Sequence, residues 1–275
     1  MSTRPTAGNA TSRRWEGALV AVLLGLAAIS WVVTARWSLP EMRTGLLTRA
    51  PAPPMAGDSM ALMTDGLLHP TPMLGLFLLT WLVMMVAMMF PAVVPVVVTF
   101  DRWRRRKARP KSATALFVGG YLLGWSVFGL VVYAAMLYLE PLLPAGATSV
   151  RWGAALLILA GAYQLTGLKA RCLKQCRSPL AFVAEHATQL RRGGFGPAKV
   201  GLAHGMFCLG CCWALMLVLV LLGMMSLAWM AAVAGVIFVE KVLPIGSRVP
   251  PVVAAVLIGL GGFLLVLPQA LLSLN

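Results

Sequence analysis

Gly201-Leu-Ala-His-Gly-Met-Phe-Cys-Leu-Gly-Cys-Cys-Trp-Ala-Leu-Met216 opens an apolar run that continues to Leu222 without a single Asp, Glu, Lys or Arg. At about 1.5 Å of rise per residue, a helix over 200–222 is long enough to cross the roughly 30 Å hydrocarbon layer of a bilayer. Its oily surface is interrupted by three thiols and an imidazole. With 3.6 residues per turn, His204, Cys208 and either Cys211 or Cys212 follow one another along one face. Soft sulphur and borderline nitrogen in a column suggest a metal site, whereas a single buried cysteine is usually a small hydrophobe.

The rest of the chain fits the same solvent. Its 275 residues are 60% hydrophobic and 11% charged, with a mean hydropathy of +0.86. That composition excludes an ordinary soluble domain. The net charge of +15 would suit a nucleic-acid partner if the basic residues formed a patch on a polar domain. They lie instead between apolar runs, so they act as topology signals and no nucleic acid is expected. The partner that composition implies is the lipid bilayer.

Working outward, apolar runs at 17–35, 73–100, 113–139, 152–168, 200–222, 225–243 and 251–272 predict an all-α, polytopic membrane helix bundle of about seven transmembrane helices. Residues 1–16 form a cytosolic tail, 17–35 a retained transmembrane signal anchor, with a cleaved signal peptide as the alternative, and 36–72 an extracytosolic Pro/Met-rich loop. A six-helix membrane domain then occupies 73–275. With the N-terminus in the cytosol, 19 of the 23 Lys and Arg face that side. The block from Asp101 to Lys111 contributes most visibly. All five cysteines then lie in the cytosol or the cytosolic half of the bilayer, where thiols stay reduced.

Two further sulphur groups are candidates. Met84, Met85, Met88 and Met89 make adjacent columns in the second run, just before Pro91 and Pro95, where a helix is expected to kink or break. Cys172 and Cys176 stand four apart in a basic stretch after the fourth run. In the loop, Met55, Met60, Met63 and His69 could capture copper, although loop methionines commonly have no ligand role. Counting residues from the cytosolic boundary puts Cys211 and Met89 at similar depth, and does the same for His204 and Glu240. This predicts a sulphur site near the midplane, with a His204–Glu240 pair closer to the cytosol. Glu240 pairing with its neighbour Lys241 is the alternative.

Trp81-x-x-Met-Met-x-Ala-Met-Met-x-Pro91-x-x-x-Pro95, Tyr163-Gln-Leu-Thr-Gly-Leu-Lys169-x-x-Cys172-x-x-x-Cys176-Arg177, the cysteine helix and Glu240-Lys241 together resemble an uncharacterised bacterial family described as predicted metal-binding integral membrane proteins. The resemblance covers about 75–250. It implies a multi-pass protein of the bacterial inner membrane and gives weight to the cysteines and methionines. Gly167 departs from the pattern, standing where proline is expected, which softens the end of the fourth helix without touching a ligand.

Three functions compete. Thiolate with thioether selects copper(I) over magnesium, calcium or manganese, so binding, transport or delivery of copper(I) leads, with a metallochaperone or membrane complex as partner. The candidate ligands are Cys208, Cys211, Cys212, His204, Met84, Met85, Met88, Met89, Cys172 and Cys176, with Glu240 and Lys241 beside them. Zinc could use cysteine and histidine, but the abundance of methionine argues against it. A thiol-disulfide relay would use the Cys208–Cys211 C-x-x-C. A structural or assembly subunit would use the glycines and methionines only for packing. Gly193 to Gly196 lacks the Lys-Ser/Thr ending of a phosphate loop, and no acid-base catalytic set stands out, so the sequence does not point to an enzyme.

Overall fold

The computed structural model describes residues 7–37, 70–139, 147–191, 194–222 and 226–267. Loop residues Met55, Met60, Met63 and His69, the turn at Gly223 and the end of the last apolar run lie outside the described residues. Helices account for almost all of the described chain. They are α1 (Ala7–Trp37), α2 (Pro70–Arg106), α3 (Ser112–Leu139), α4 (Ala147–Gln164), α5 (Gly167–Arg177), α6 (Pro179–Glu185), α7 (Ala187–Arg191), α8 (Gly196–Leu222), α9 (Leu227–Val242) and α10 (Val249–Val266). No strand occurs among the described residues.

Five of these helices are long and apolar enough to cross a membrane, over Arg13–Arg36, Leu74–Arg106, Ser112–Tyr138, Gly196–Leu222 and Val249–Val266. A sixth crossing is possible only if the bent pair α4–α5 counts as one span. Among the described residues the expected count of seven is therefore not shown. The difference has two physical sources. Where 225–243 was expected to span, α9 has 16 residues, or roughly 24 Å, short of the hydrocarbon thickness. Where 152–168 was expected to be one helix, the chain turns by 61° between Gln164 and Gly167. Thr166 starts the new helix there, its side chain accepting a hydrogen bond from the Lys169 backbone N–H. Gly167, the departure from the family pattern, is therefore the first residue of α5.

Of the kink or break expected at Pro91 and Pro95, the break does not occur. Helix α2 runs through Pro91 and Pro95 without interruption. Proline cannot donate to the carbonyl four residues back, so Pro91 frees the carbonyl of Ala87, which hydrocarbon cannot satisfy. Trp31 of α1 supplies the donor, its indole Nε1 lying 3.1 Å from Ala87 O. At Pro91 the ladder thus loses one bond and keeps its acceptor occupied, while Pro95 removes a second bond, the one to the Pro91 carbonyl.

Close approach of α3 and α8 forms the centre of the bundle. A methyl group placed on Gly120 would meet the Ala198 carbonyl, one on Gly201 the Phe117 carbonyl, and one on Gly205 would come within 2.9 Å of the Tyr121 carbonyl. Small residues at such crossings let backbones touch. Along α3, Gly120 and Gly124 face α8, a methyl group on Gly129 would meet the Trp81 indole, and one on Gly119 would meet nothing within 4 Å.

The basic end is tied by Asp101. Its carboxylate accepts from Arg104 at 2.5 Å, Arg105 at 3.0 Å and the Thr114 hydroxyl at 2.9 Å, joining α2 to α3. Glu16 of α1 pairs with Arg102 at 2.7 Å and Arg105 at 3.2 Å.

Candidate functional site

Helix α8 presents its thiols to a buried junction of α2, α3, α5 and α9. Cys208, Cys211 and Cys212 are each no more than 2% exposed. The Cys211 and Cys212 thiols donate back to the Cys208 carbonyl at 3.0 and 2.9 Å, a contact available one turn later on a helix. From α3, the Tyr121 hydroxyl lies 3.1 Å from Cys208 Sγ.

Helix α5 brings the second pair of thiols. Its bend turns Cys172 and Cys176 onto α8, where Cys176 Sγ stands 3.9 Å from Cys211 Sγ. Cys172 lies over Gly210, and a Cβ on that glycine would come within 2.6 Å of its sulphur. Beside it, the Tyr163 hydroxyl of α4 donates to the Gly210 carbonyl, fixing the pre-bend helix against the cysteine helix. Cys172 and Cys176 are therefore core residues rather than parts of a solvated juxtamembrane helix. All five cysteines are free thiols.

Helix α9 contributes a cation. Lys241 Nζ donates to Cys208 Sγ at 2.9 Å and reaches Cys212 Sγ and Met89 Sδ at 4.0 Å each. Met89 is thus brought to the cluster from α2. Met84, Met85 and Met88 are buried in the same core, and their sulphur atoms make no polar contact with a thiol or with Lys241 among the described residues.

The expected pairing of His204 with Glu240 is not formed. His204 sits among aromatic rings, 4.9 Å from Phe182, 6.0 Å from Tyr121 and 6.2 Å from Phe117 between centroids, and its Nδ1 has no hydrogen-bond partner among the described residues. Glu240 instead receives Lys169, whose Nζ lies 2.9 and 2.8 Å from the two carboxylate oxygens and also donates to Gln164 Oε1. Both partners are 1% exposed. Arg177 continues this bridge by donating to the backbone carbonyl of Glu240 at 2.6 Å. The two contacts hold α5, and with it Cys176, against the end of α9. Lys169, Gln164 and Tyr163 stood in the quoted motif without a site role, and Tyr121 was not singled out from sequence. A charge count offered the signal for Lys169, because a carboxylate inside an apolar helix needs a cation and only His204 and Lys241 were considered for it.

Among the described residues, no three His, Cys, Asp or Glu side chains are gathered as a ready-made metal cage. What is gathered is a thiol pair across two helices, plus two further thiols and a thioether around an ammonium. The donor chemistry fits a soft ion of low coordination number and does not provide the closed four-ligand shell of a structural zinc site.

Fold and site together define a helical protein of membrane type with a buried sulphur cluster. Residues 78–264 match the model of the PpoB2 family, described as copper chaperone, and the chain belongs to that family. The membership agrees with the resemblance carried by the methionine, cysteine and Glu-Lys motifs, and it supports a copper-related function. No curated protein and no solved structure matches the chain.

Proposed function

We propose that this protein is a multi-pass inner-membrane chaperone that holds copper(I) between Cys176 of α5 and Cys211 of α8 and passes it to a partner protein. The carrying observation is the 3.9 Å separation of those two sulphurs across a helix interface. Taking the zinc–thiolate length of about 2.3 Å as a guide, two sulphurs sharing one ion stand roughly 3.8 Å apart at a tetrahedral angle and 4.6 Å apart in a line. The pair needs only small adjustment to bind. Cys208, Cys212 and Met89 then form a second set of soft donors one step away, so the ion can be handed between thiols without entering water. Charge bias supports an orientation with this cluster nearer the cytosol, where thiols and delivered copper are both reduced.

The test is titration of the purified full-length protein with copper(I) under reducing conditions against a chromogenic chelator. One equivalent or more should bind with an affinity that the Cys208/Cys211/Cys212→Ser triple variant loses. Equal binding by that variant, or none by the wild type, refutes the reading. The same thiol pair gives the redox alternative its footing, since Cys176 and Cys211 could close to a disulfide by giving two electrons and two protons to an acceptor such as a quinone. Cysteines that remain uniformly reduced in cells under oxidant stress would eliminate that alternative.

A further inference from the structure

Lys241 is buried, yet its charge is not balanced by the carboxylate next to it in sequence. Glu240 is already taken by Lys169, at 2.8 Å. The ammonium is turned instead to sulphur, 2.9 Å from Cys208 and 4.0 Å from both Cys212 and Met89. A cation removed from water requires compensation, and among the described residues the acceptor within hydrogen-bond reach of Nζ is the Cys208 sulphur.

A metal ion bonded to Cys208 at about 2.3 Å would have to occupy much of the space that this ammonium fills. Entry of the ion among these three sulphurs therefore expels Nζ. We propose that Lys241 is a specificity-determining residue, a resident single positive charge that copper(I) replaces one for one while a divalent ion cannot. The proposal rests on the copper reading and adds to it the reason for its valence.

The argument is electrostatic. Exchange of an ammonium for Cu(I) leaves the net charge among the sulphurs unchanged, whereas exchange for Zn(II) adds one positive unit. The expelled ammonium remains tethered to α9 by its four-carbon stem, so it stays within about 8 Å of the sulphurs and repels whatever has entered. For an ammonium displaced to about 8 Å, the extra unit of a divalent ion is disfavoured by roughly thirtyfold at an effective dielectric constant near 20. The discrimination comes from a charge, so a residue that keeps the charge should keep it and one that deletes the charge should lose it.

The experiment compares wild type, Lys241→Met and Lys241→Arg as full-length protein in detergent. Copper(I) and zinc(II) affinities are each measured by competition with a chelator. Lys241→Met should lower the copper-to-zinc affinity ratio about thirtyfold, and Lys241→Arg should keep it within about threefold of wild type. A ratio unchanged in Lys241→Met, or lost equally in Lys241→Arg, overturns the proposal while leaving the copper reading intact. Failure of the wild type to bind copper(I) overturns both. Should Lys241→Met not fold, the wild type still decides the matter. Acylation of Lys241 by an amine-reactive ester, followed by mass spectrometry, should accelerate at least about tenfold on copper(I) loading as the amine leaves its sulphur acceptor. An unchanged rate overturns the proposal.

Discussion

Glu240→Gln is the most informative single change to the scaffold. It leaves the Lys169 ammonium in a site where both residues are 1% exposed and the N–O distances are 2.8 and 2.9 Å. At that separation the attraction is roughly 6 kcal/mol at an effective dielectric constant near 20, and the desolvation of two ions offsets much of it. Removing one partner exposes the uncompensated cost of the other, about 3–5 kcal/mol. For a chain of this size that corresponds to a fall in melting temperature on the order of 10 °C. Melting of the detergent-solubilised protein, followed by loss of the monodisperse peak, reads it out. Lys169→Met should cost a similar amount, while the double variant Lys169→Met/Glu240→Gln should recover most of it, because no buried charge is left unpaired. Additive losses in the double variant would show that the two side chains do not compensate each other, and the reasoning would be wrong.

Three other outcomes are expected. Cys176→Ser should weaken copper(I) binding at least about tenfold, more than Cys172→Ser, because Cys176 faces a thiol and Cys172 faces the backbone at Gly210; chelator competition compares them. Gly201→Ala drives a methyl group into the Phe117 carbonyl and should cost about 1–3 kcal/mol, whereas Gly119→Ala, with nothing within 4 Å, should be neutral or slightly stabilising, and thermal melts of both check the α3–α8 crossing. Asp101→Ala removes the acceptor shared by Arg104, Arg105 and Thr114 and should cost about 2–4 kcal/mol by the same assay.

Hydropathy was sufficient to locate the five long helices, because in a bilayer length and apolarity are nearly the whole requirement. It was insufficient where a local contact decided the outcome. Nothing in the apolar count from Trp152 to Leu168 shows that Thr166 caps a new helix and turns the chain by 61°. That turn is what converts Cys172 and Cys176 from a surface pair into neighbours of the cysteine helix. The soft character of the site was legible in Cys208, Cys211, Cys212 and Met89, since the residue types themselves carry it. Pairing between helices was not, because depth along a helix says nothing about which helices adjoin. His204 and Glu240 share a level and still have different partners, aromatic rings for one and Lys169 for the other.

The indole of Trp31 gives the amino-terminal helix a duty beyond anchoring. Helix α1 precedes the segment that matches the family, 78–264, yet it furnishes the donor for a main-chain oxygen inside that segment. A shortened protein beginning at α2 would present Ala87 O to hydrocarbon with its nearest hydrogen gone, a penalty of several kcal/mol at that depth. The proline-bearing helix and its amino-terminal neighbour are thus one folding unit, and dissecting the domain at the family boundary would separate an acceptor from the only side chain described as reaching it.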